Sequence, residues 1–252
     1  MISLSKIKLI KSLEQKKFRD ETGLFIAEGT KLILDLLSVF QCSILVGTHD
    51  WLSENKGVSA TEIIEIEARE FSKISNQKSP QGVLAVFKKR DDTWKPEYLL
   101  QKLTLALDDI QDPGNLGTII RIADWFGITD VFCSEHTADV YNPKTIQATM
   151  GALARVRVHS VVLEKFLKAC PLNVPVYGTF MDGENVYNKS LSPHGIIVMG
   201  NEGNGISNEI ESLVTDRLLI PNYPVGQLTS ESLNVGVATA LICAEFRRRV
   251  QE

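Results

Sequence analysis

Apolar positions along this chain follow two periods in alternation. Short extended runs, LFIAEG (24–29), SILVG (43–47), TEIIEIE (61–67) and GVLAVF (82–87), are separated by segments of helical spacing, TKLILDLLS (30–38) and AREFSKIS (68–75). Short apolar runs bounded by Gly, Pro or polar clusters predict strands, and apolar residues three and four apart predict helices. Their alternation predicts a small α/β layer structure at the N-terminus. From residue 103 the alternation returns on a larger scale, with strand candidates at LTLALDDI (103–110), DVFCSE (130–135), RVHSVV (157–162), VPVYGTF (174–180), GIIVMG (195–200) and RLLI (217–220). Several are apolar without a break, as parallel strands covered on both faces should be. The polar, proline-bearing stretch KKRDDTWKPEYLL (88–100) parts the two series. The expected organisation is a first domain at 1–90, a linker at 91–102 and a larger parallel-sheet domain at 103–252.

Two helices of the second series carry clear signals. Asn142-Pro143 offers an N-cap followed by proline at the first helical position, with Ile146, Met150 and Leu153 recurring behind it. The stretch from Leu233 to Arg249 repeats Leu233, Val237, Leu241 and Ala244 and ends in Arg247-Arg248-Arg249, where three cations complement the negative end of the helix dipole.

Composition narrows the class. With 252 residues, 44% of them hydrophobic and 23% charged, the chain can bury a sizeable core and is not disordered, collagen-like or coiled-coil. No apolar run approaches the roughly 20 residues of a membrane span, and the N-terminus lacks the apolar core of a signal peptide. Cysteines stand singly at 42, 133, 170 and 243, with no CxxC pair among them, and the chain has only four histidines. The expectation is a cytoplasmic protein with no disulfide framework, no metal site and no membrane association.

Net charge is −4, but it is unevenly spread. Residues 1–90 hold 14 basic against 11 acidic side chains, and the remainder holds 13 against 20. Six cations, Lys6, Lys8, Lys11, Lys16, Lys17 and Arg19, fall in the first 19 residues beside a single acid, Glu14. A solvated helix face is the ordinary reading of such a run; a phosphate-contacting surface is the functional one.

Open α/β sheets bind ligands in loops beyond the carboxyl ends of their strands. Three such loops are rich in Gly, Asn, Pro and charge. In DDIQDPGNLGTIIRIADWFG (108–127), Asn115 sits at the expected N-cap of a helix that carries Arg121, whose ordinary role would be to pair with Asp124 or Asp108. In VMGNEGNGIS (198–207), three glycines permit close backbone approach to a ligand. Their spacing is neither that of a dinucleotide fingerprint nor that of a P-loop. In IPNYPVGQLTSESLNVGVATALICAEF (220–246), Ser232 is a candidate N-cap, and Asn234 within the first turn needs a use for its amide.

The three loops in this order resemble the motifs of the SpoU (TrmH-like) branch of the SPOUT RNA methyltransferases. Asn115 followed six residues later by Arg121 matches the first motif. Gly200, Asn201, Glu202 and Gly203 match the second, and Ile220-Pro221 followed by SLNV (232–235) the third. NPKTIQATMGA (142–152) is similar to the segment between the first two motifs. KKFRDETGLFIAEGTKLI (16–33) is similar to the substrate-binding domain that precedes many of these enzymes and has a ribosomal-protein-like RNA-binding fold. The sequence departs from the pattern in a long third loop at 223–231, in Gly236 where serine is common and in Gln147 where arginine is common.

The resemblance implies a small α/β substrate-binding domain ahead of a parallel-sheet SPOUT domain with a trefoil knot, working as a homodimer. It implies transfer of a methyl group from S-adenosylmethionine, leaving S-adenosylhomocysteine, to a ribose 2′-hydroxyl of structured RNA. Ribosomal RNA, 23S in particular, stands ahead of transfer RNA. Asn115, Arg121, Glu202, Ser232 and Asn234 would be catalytic. Thr179, Gly200, Asn201, Gly203, Ile220, Leu228 and Leu233 would hold the cofactor, and Lys6, Lys8, Lys11, Lys16, Lys17 and Arg19 the RNA. The alternative is a noncatalytic RNA-binding or ribosome-assembly protein of the same fold, which would have no need of the five catalytic side chains.

Overall fold

A computed structural model describes residues 2–224 and 232–249 of the chain. Its elements begin with α1 (Leu4–Ser12), α2 (Lys16–Thr22), β1 (Leu24–Glu28), α3 (Thr30–Leu37), β2 (Cys42–Thr48), α4 (His49–Glu54), β3 (Glu62–Ile66), α5 (Ala68–Phe71) and β4 (Val83–Lys88). After a 3-10 turn at Pro96–Leu100 follow β5 (Leu103–Leu107), α6 (Pro113–Trp125), β6 (Asp130–Cys133), α7 (Pro143–Thr149) and a 3-10 turn at Ala152–Ala154. The chain continues with β7 (Arg157–Ser160), α8 (Leu163–Lys168), β8 (Val176–Asn185), β9 (Gly195–Met199), α9 (Asn208–Glu211), β10 (Asp216–Leu219) and α10 (Val235–Arg249). Packing divides them into two units, Met1–Asp91 with Asp139–Ala154, and Asp92–Ala138 with Arg155–Glu252.

The first unit is a four-stranded mixed sheet in the order β1-β4-β2-β3. β4 runs antiparallel to β1 and β2, pairing Ala85 with both Ala27 and Leu45, while β2 and β3 are parallel. Successive side chains of a strand point to opposite faces, and both faces here are covered. Phe25 stacks on Phe87 at 5.5 Å and meets Phe40 edge-on at 5.3 Å. Ile26, Val46, Leu84 and Val86 pack instead with Leu13 and Phe71. That explains why β1, β2 and β4 read as largely apolar runs, whereas the edge strand β3 carries glutamates and leaves Ile63 exposed.

Residues 139–154 lie within the range expected for the second domain, yet they pack with the first unit. The Arg19 guanidinium, 1% exposed, donates to Asp139 Oδ2 from Nη2 at 2.6 Å and from Nε at 2.9 Å, and through Nη1 to the Leu13 and Glu14 carbonyls at 2.8 Å. The Tyr141 ring sits 4.8 Å from Phe25. Asn142 caps α7 with Pro143 in the first turn, as its sequence predicts. The helical spacing of Ile146, Met150 and Leu153 overshoots, however, because α7 stops at Thr149. Met150 is left-handed (φ 51°) and exposed, and Gly151 (φ 91°) abuts Asp35, whose Oδ2 would lie 2.2 Å from any Cβ there.

The second unit is a six-stranded sheet, parallel throughout, in the order β10-β8-β9-β5-β6-β7. β5 is central, pairing Leu105 with Val131 on one side and Ile197 on the other, and every residue of β5 and β9 is buried. α6 and α10 run side by side. Gly236 faces Thr118 near their starts, and Arg247 Nε donates to the Phe126 carbonyl at 2.7 Å near their ends. At the amino ends of β6 and β7, Asp130 takes hydrogen bonds from Arg157 at 2.7 and 2.8 Å and lies 3.0 Å from His159 Nε2. Burial opposes ionisation of Asp130, but the His159 and Arg157 hydrogen bonds outweigh it and hold the carboxyl below the usual carboxylate range.

Candidate active site at the carboxyl ends of the parallel strands

α6 starts from an Asp112 cap, not from Asn115. The Asp112 carboxylate accepts from the Asn115 backbone N–H at 2.8 Å, with Pro113 at the first helical position. Asn115 therefore stands in the first turn with its carboxamide free of capping. α10 likewise starts at Val235, two residues later than the sequence suggests. Its cap is Asn234, whose Oδ1 accepts from Gly236 N at 3.0 Å and Val237 N at 3.3 Å, so Ser232 is not the cap.

These two corrections bring three of the expected catalytic side chains together. Asn234 Nδ2 donates to Asn115 Oδ1 at 3.0 Å, and Asn115 Nδ2 donates to Glu202 Oε1 at 2.8 Å. The row Asn234–Asn115–Glu202 links residues from all three loops, and each donor–acceptor choice fixes the next.

Beside the row lies a cavity of about 430 Å³, within the size range of small-molecule sites. Of the expected cofactor residues, Thr179, Gly200, Asn201, Gly203, Ile220 and Leu233 line it, together with Glu202 and Ser232. Leu228 lies outside the described residues. The sequence did not mark Phe180, Met181, Val235 and Ala238, which supply apolar wall and look like ordinary strand and helix interior. Gly200 has no substitute: a Cβ there would lie 2.3 Å from the Gly205 carbonyl carbon.

The charge of this lining is informative. Among the described residues Glu202 is the only charged side chain in it, and no lysine or arginine faces the space. Arg217 lies over the Phe180 ring at 3.6 Å, but it is paired with Asp182 and Glu211. A triphosphate would find no counter-charge here, whereas a cationic ligand with a flat polar edge would find a carboxylate and backbone partners.

Arg121 is exposed, does not line the cavity and makes no hydrogen bond or ion pair with the described residues. Its ordinary partners are taken. Asp124 binds Arg155 at 2.8 Å, and Asp108 accepts from Ser207 N at 2.8 Å. Cysteine chemistry is absent from the site: burial pushes Cys133 and Cys243 up to about 12, and Cys42 and Cys170 up to about 11. Among the described residues no cluster of His, Cys, Asp and Glu could hold a metal ion, and no helix is long and apolar enough to cross a membrane.

The N-terminal cations are largely spoken for. Lys6 pairs with Glu62, Lys16 with Asp20 at 2.7 Å, and Lys17 approaches Glu21 at 3.9 Å. Arg19 is the correction: its burial on Asp139 makes it a structural cation rather than a phosphate contact. Lys8 and Lys11 are exposed and unpaired among the described residues.

Residues 102–244 match the SpoU rRNA Methylase family, and residues 5–85 match the MRM3-like substrate binding domain. The chain is 30% identical to the 23S rRNA (guanosine(2553)-2′-O)-methyltransferase RlmP of Bacillus subtilis, over 96% of each. A TrmH-family structure from Porphyromonas gingivalis is 41% identical, covers 99% of each chain and superposes with a TM-score of 0.88. An AdoMet-bound rRNA methyltransferase from Sinorhizobium meliloti is 29% identical, with a TM-score of 0.85 over 99% of this chain and 97% of that one.

Proposed function

From a chain that belongs to the SpoU rRNA methylase family, we propose an enzyme that methylates a ribose 2′-hydroxyl of ribosomal RNA, using S-adenosylmethionine held in the 430 Å³ cavity. The carrying observation is the lining itself: among the described residues, one carboxylate, no cation, apolar walls and a glycine loop with close backbone approach. That lining fits a sulfonium-bearing adenosine and disfavours phosphorylated nucleotides. When bound, the cofactor supplies an electrophilic methyl group.

The protein's own residues must hold the 2′-oxygen in line and favour its charge. In this reading Asn115 and Asn234 position the ribose from the hydrogen-bonded row, and Ser232 adds a hydroxyl from the cavity wall. Glu202 orders the row through Asn115. Guanidinium stays protonated in proteins, so Arg121 is no base; it grips the adjacent phosphate and stabilises the developing alkoxide, and the proton leaves to phosphate or solvent. The preserved row favours an enzyme over a noncatalytic RNA-binding protein. Large-subunit RNA is the finer target reading, supported by the resemblance to RlmP.

The cofactor-binding enzyme would be a homodimer. Trp125 is 84% exposed one helical turn after Arg121, and Val237 and Leu241 are exposed on the neighbouring α10. Covering this two-helix surface with a second copy would bury that apolar area and enclose Arg121 at the subunit boundary.

Calorimetric titration with S-adenosylmethionine, S-adenosylhomocysteine and ATP tests the site. The first two should bind saturably and ATP should not. Equal affinity for ATP would overturn the reading of the cavity.

A further inference from the structure

The loop that forms one wall of the cavity is held at both ends by the two residues that close β5. Asp108 is buried, and its Oδ2 accepts from the Ser207 backbone N–H at 2.8 Å, beyond the end of the loop. Asp109 reaches the start of the loop through its main chain, its carbonyl accepting from Asn201 Nδ2 at 2.7 Å. The Asn201 Oδ1 accepts from Gly203 N at 2.9 Å and Asn204 N at 3.0 Å, which leaves one Nδ2 hydrogen for the cavity that Asn201 also lines. Backbone bonds between Asn201 and Gly205 close the turn.

Asp109 is left-handed, with φ 59°, one of two non-glycine residues with positive φ among those described. Aspartate enters this conformation more readily than most residues with a Cβ, and β-branched residues enter it hardly at all. Here Ser134 Oγ accepts the Asp109 N–H at 2.9 Å and is itself 3.0 Å from Thr137 Oγ1. The left-handed turn is what aims the carbonyl at Asn201. The carboxylate, by contrast, meets only the Gln111 amide among the described residues, at 3.3 and 3.5 Å.

We propose that Asp109 is a positioning residue that acts through its backbone, its left-handed carbonyl fixing the Asn201 carboxamide and thereby shaping the 201–205 loop before ligand arrives. The inference rests on the cavity being the cofactor site. It adds a loop-stapling task to Asn201, which also lines the cavity. It also assigns the adjacent acids different tasks, side chain for Asp108 and main chain for Asp109.

The test combines hydrogen–deuterium exchange at Gly203 and Asn204 in the ligand-free protein with S-adenosylmethionine affinity by calorimetry. Asp109→Gly and Asp109→Asn keep access to the left-handed conformation, and both should show wild-type exchange and affinity. Asp109→Val, whose β-branched side chain resists that conformation, should speed exchange at both amides about tenfold and raise Kd about tenfold. Asn201→Asp, which sets a carboxylate oxygen against the Asp109 carbonyl, should do the same. Unchanged exchange at Ile196–Val198 certifies that the sheet is folded; if Asp109→Val fails that control, Asp109→Ala replaces it. If Asp109→Gly loosens the loop as much as Asp109→Val, the carboxylate is responsible and the proposal fails. If neither variant changes exchange, it fails as well. Loop loosening without any measurable cofactor binding in the wild type would uphold the positioning role and sink the cofactor assignment instead.

Discussion

Asn234 serves two partners with one carboxamide: Oδ1 caps α10 by accepting from Gly236 and Val237, and Nδ2 donates to Asn115 Oδ1 at 3.0 Å. The helix start and the hydrogen-bonded row are thus built from the same side chain, and the two tasks can be separated by substitution. Serine caps helices about as well as asparagine but is too short to reach Asn115. Asn234→Ser should leave the melting temperature within about 2 °C of wild type and lower turnover roughly 100-fold, the scale of losing one preorganised contact. Turnover within a factor of three of wild type would show that the row is structural only.

Arg19 and the exposed lysines should part company under mutation. Arg19→Ala leaves Asp139 without its guanidinium and removes the donor from two carbonyls, and it should destabilise the first unit by about 3–5 kcal/mol in denaturant unfolding. The double change Lys8→Glu, Lys11→Glu should leave stability nearly unaltered. It should instead flatten the log–log salt dependence of RNA binding by roughly 1.5, the worth of about two phosphate contacts. An unchanged slope would put the RNA surface elsewhere.

Much of the fold was legible because its strands are unmixed. β5 and β9 are buried throughout and apolar but for Thr104, and burial on both faces selects that pattern, so their positions and parallel arrangement follow from it. β1, β2 and β4 of the first unit read equally well, since both their faces are also covered. Caps were less legible. Asp112 and Asn115 are both good capping residues three positions apart, and only the geometry of Pro113 decides between them. Arg19 reads like its lysine neighbours because a buried and a solvated arginine look alike in sequence; its partner, Asp139, is 120 residues away. The same distance hid the packing of residues 139–154 with the first unit, since a strap and a domain interior share one composition. Asp109 escaped notice for a different reason: a left-handed aspartate has no sequence signature beyond its place at a strand end.

The exposed apolar surface on α6 and α10 predicts concentration-dependent assembly. Trp125→Glu should shift the protein to a monomer in sedimentation velocity while the melting transition stays cooperative. If Arg121 works at the subunit boundary, turnover should fall with the dimer fraction. A wild-type protein that is monomeric at all concentrations would contradict the dimer.

Acid should weaken the second unit through Asp130. Its carboxyl is held below the roughly 3.9 of an unfolded chain, since the His159 and Arg157 hydrogen bonds prevail over burial. A depressed carboxylate contributes fully above the unfolded value and loses its contribution as pH falls through the folded one, so stability should decline from about pH 4 downward. Asp130→Asn should cost on the order of 3 kcal/mol at pH 7 and remove this part of the acid slope. A slope identical to wild type would assign acid sensitivity to other carboxylates.

The central claim is that the three loops form a methyl-transfer site with Arg121 as its charge-stabilising group. Its most direct measurement is transfer of labelled methyl from S-adenosylmethionine to ribosomal RNA lacking its own modifications, as naked RNA and as precursor particles, with the product mapped for 2′-O-methylation. The predicted result is a single labelled ribose, with Arg121→Ala at least 100-fold slower yet binding S-adenosylmethionine with unchanged affinity. Label transferred equally well by Arg121→Ala, or none from the wild type on either form of the RNA, would contradict it.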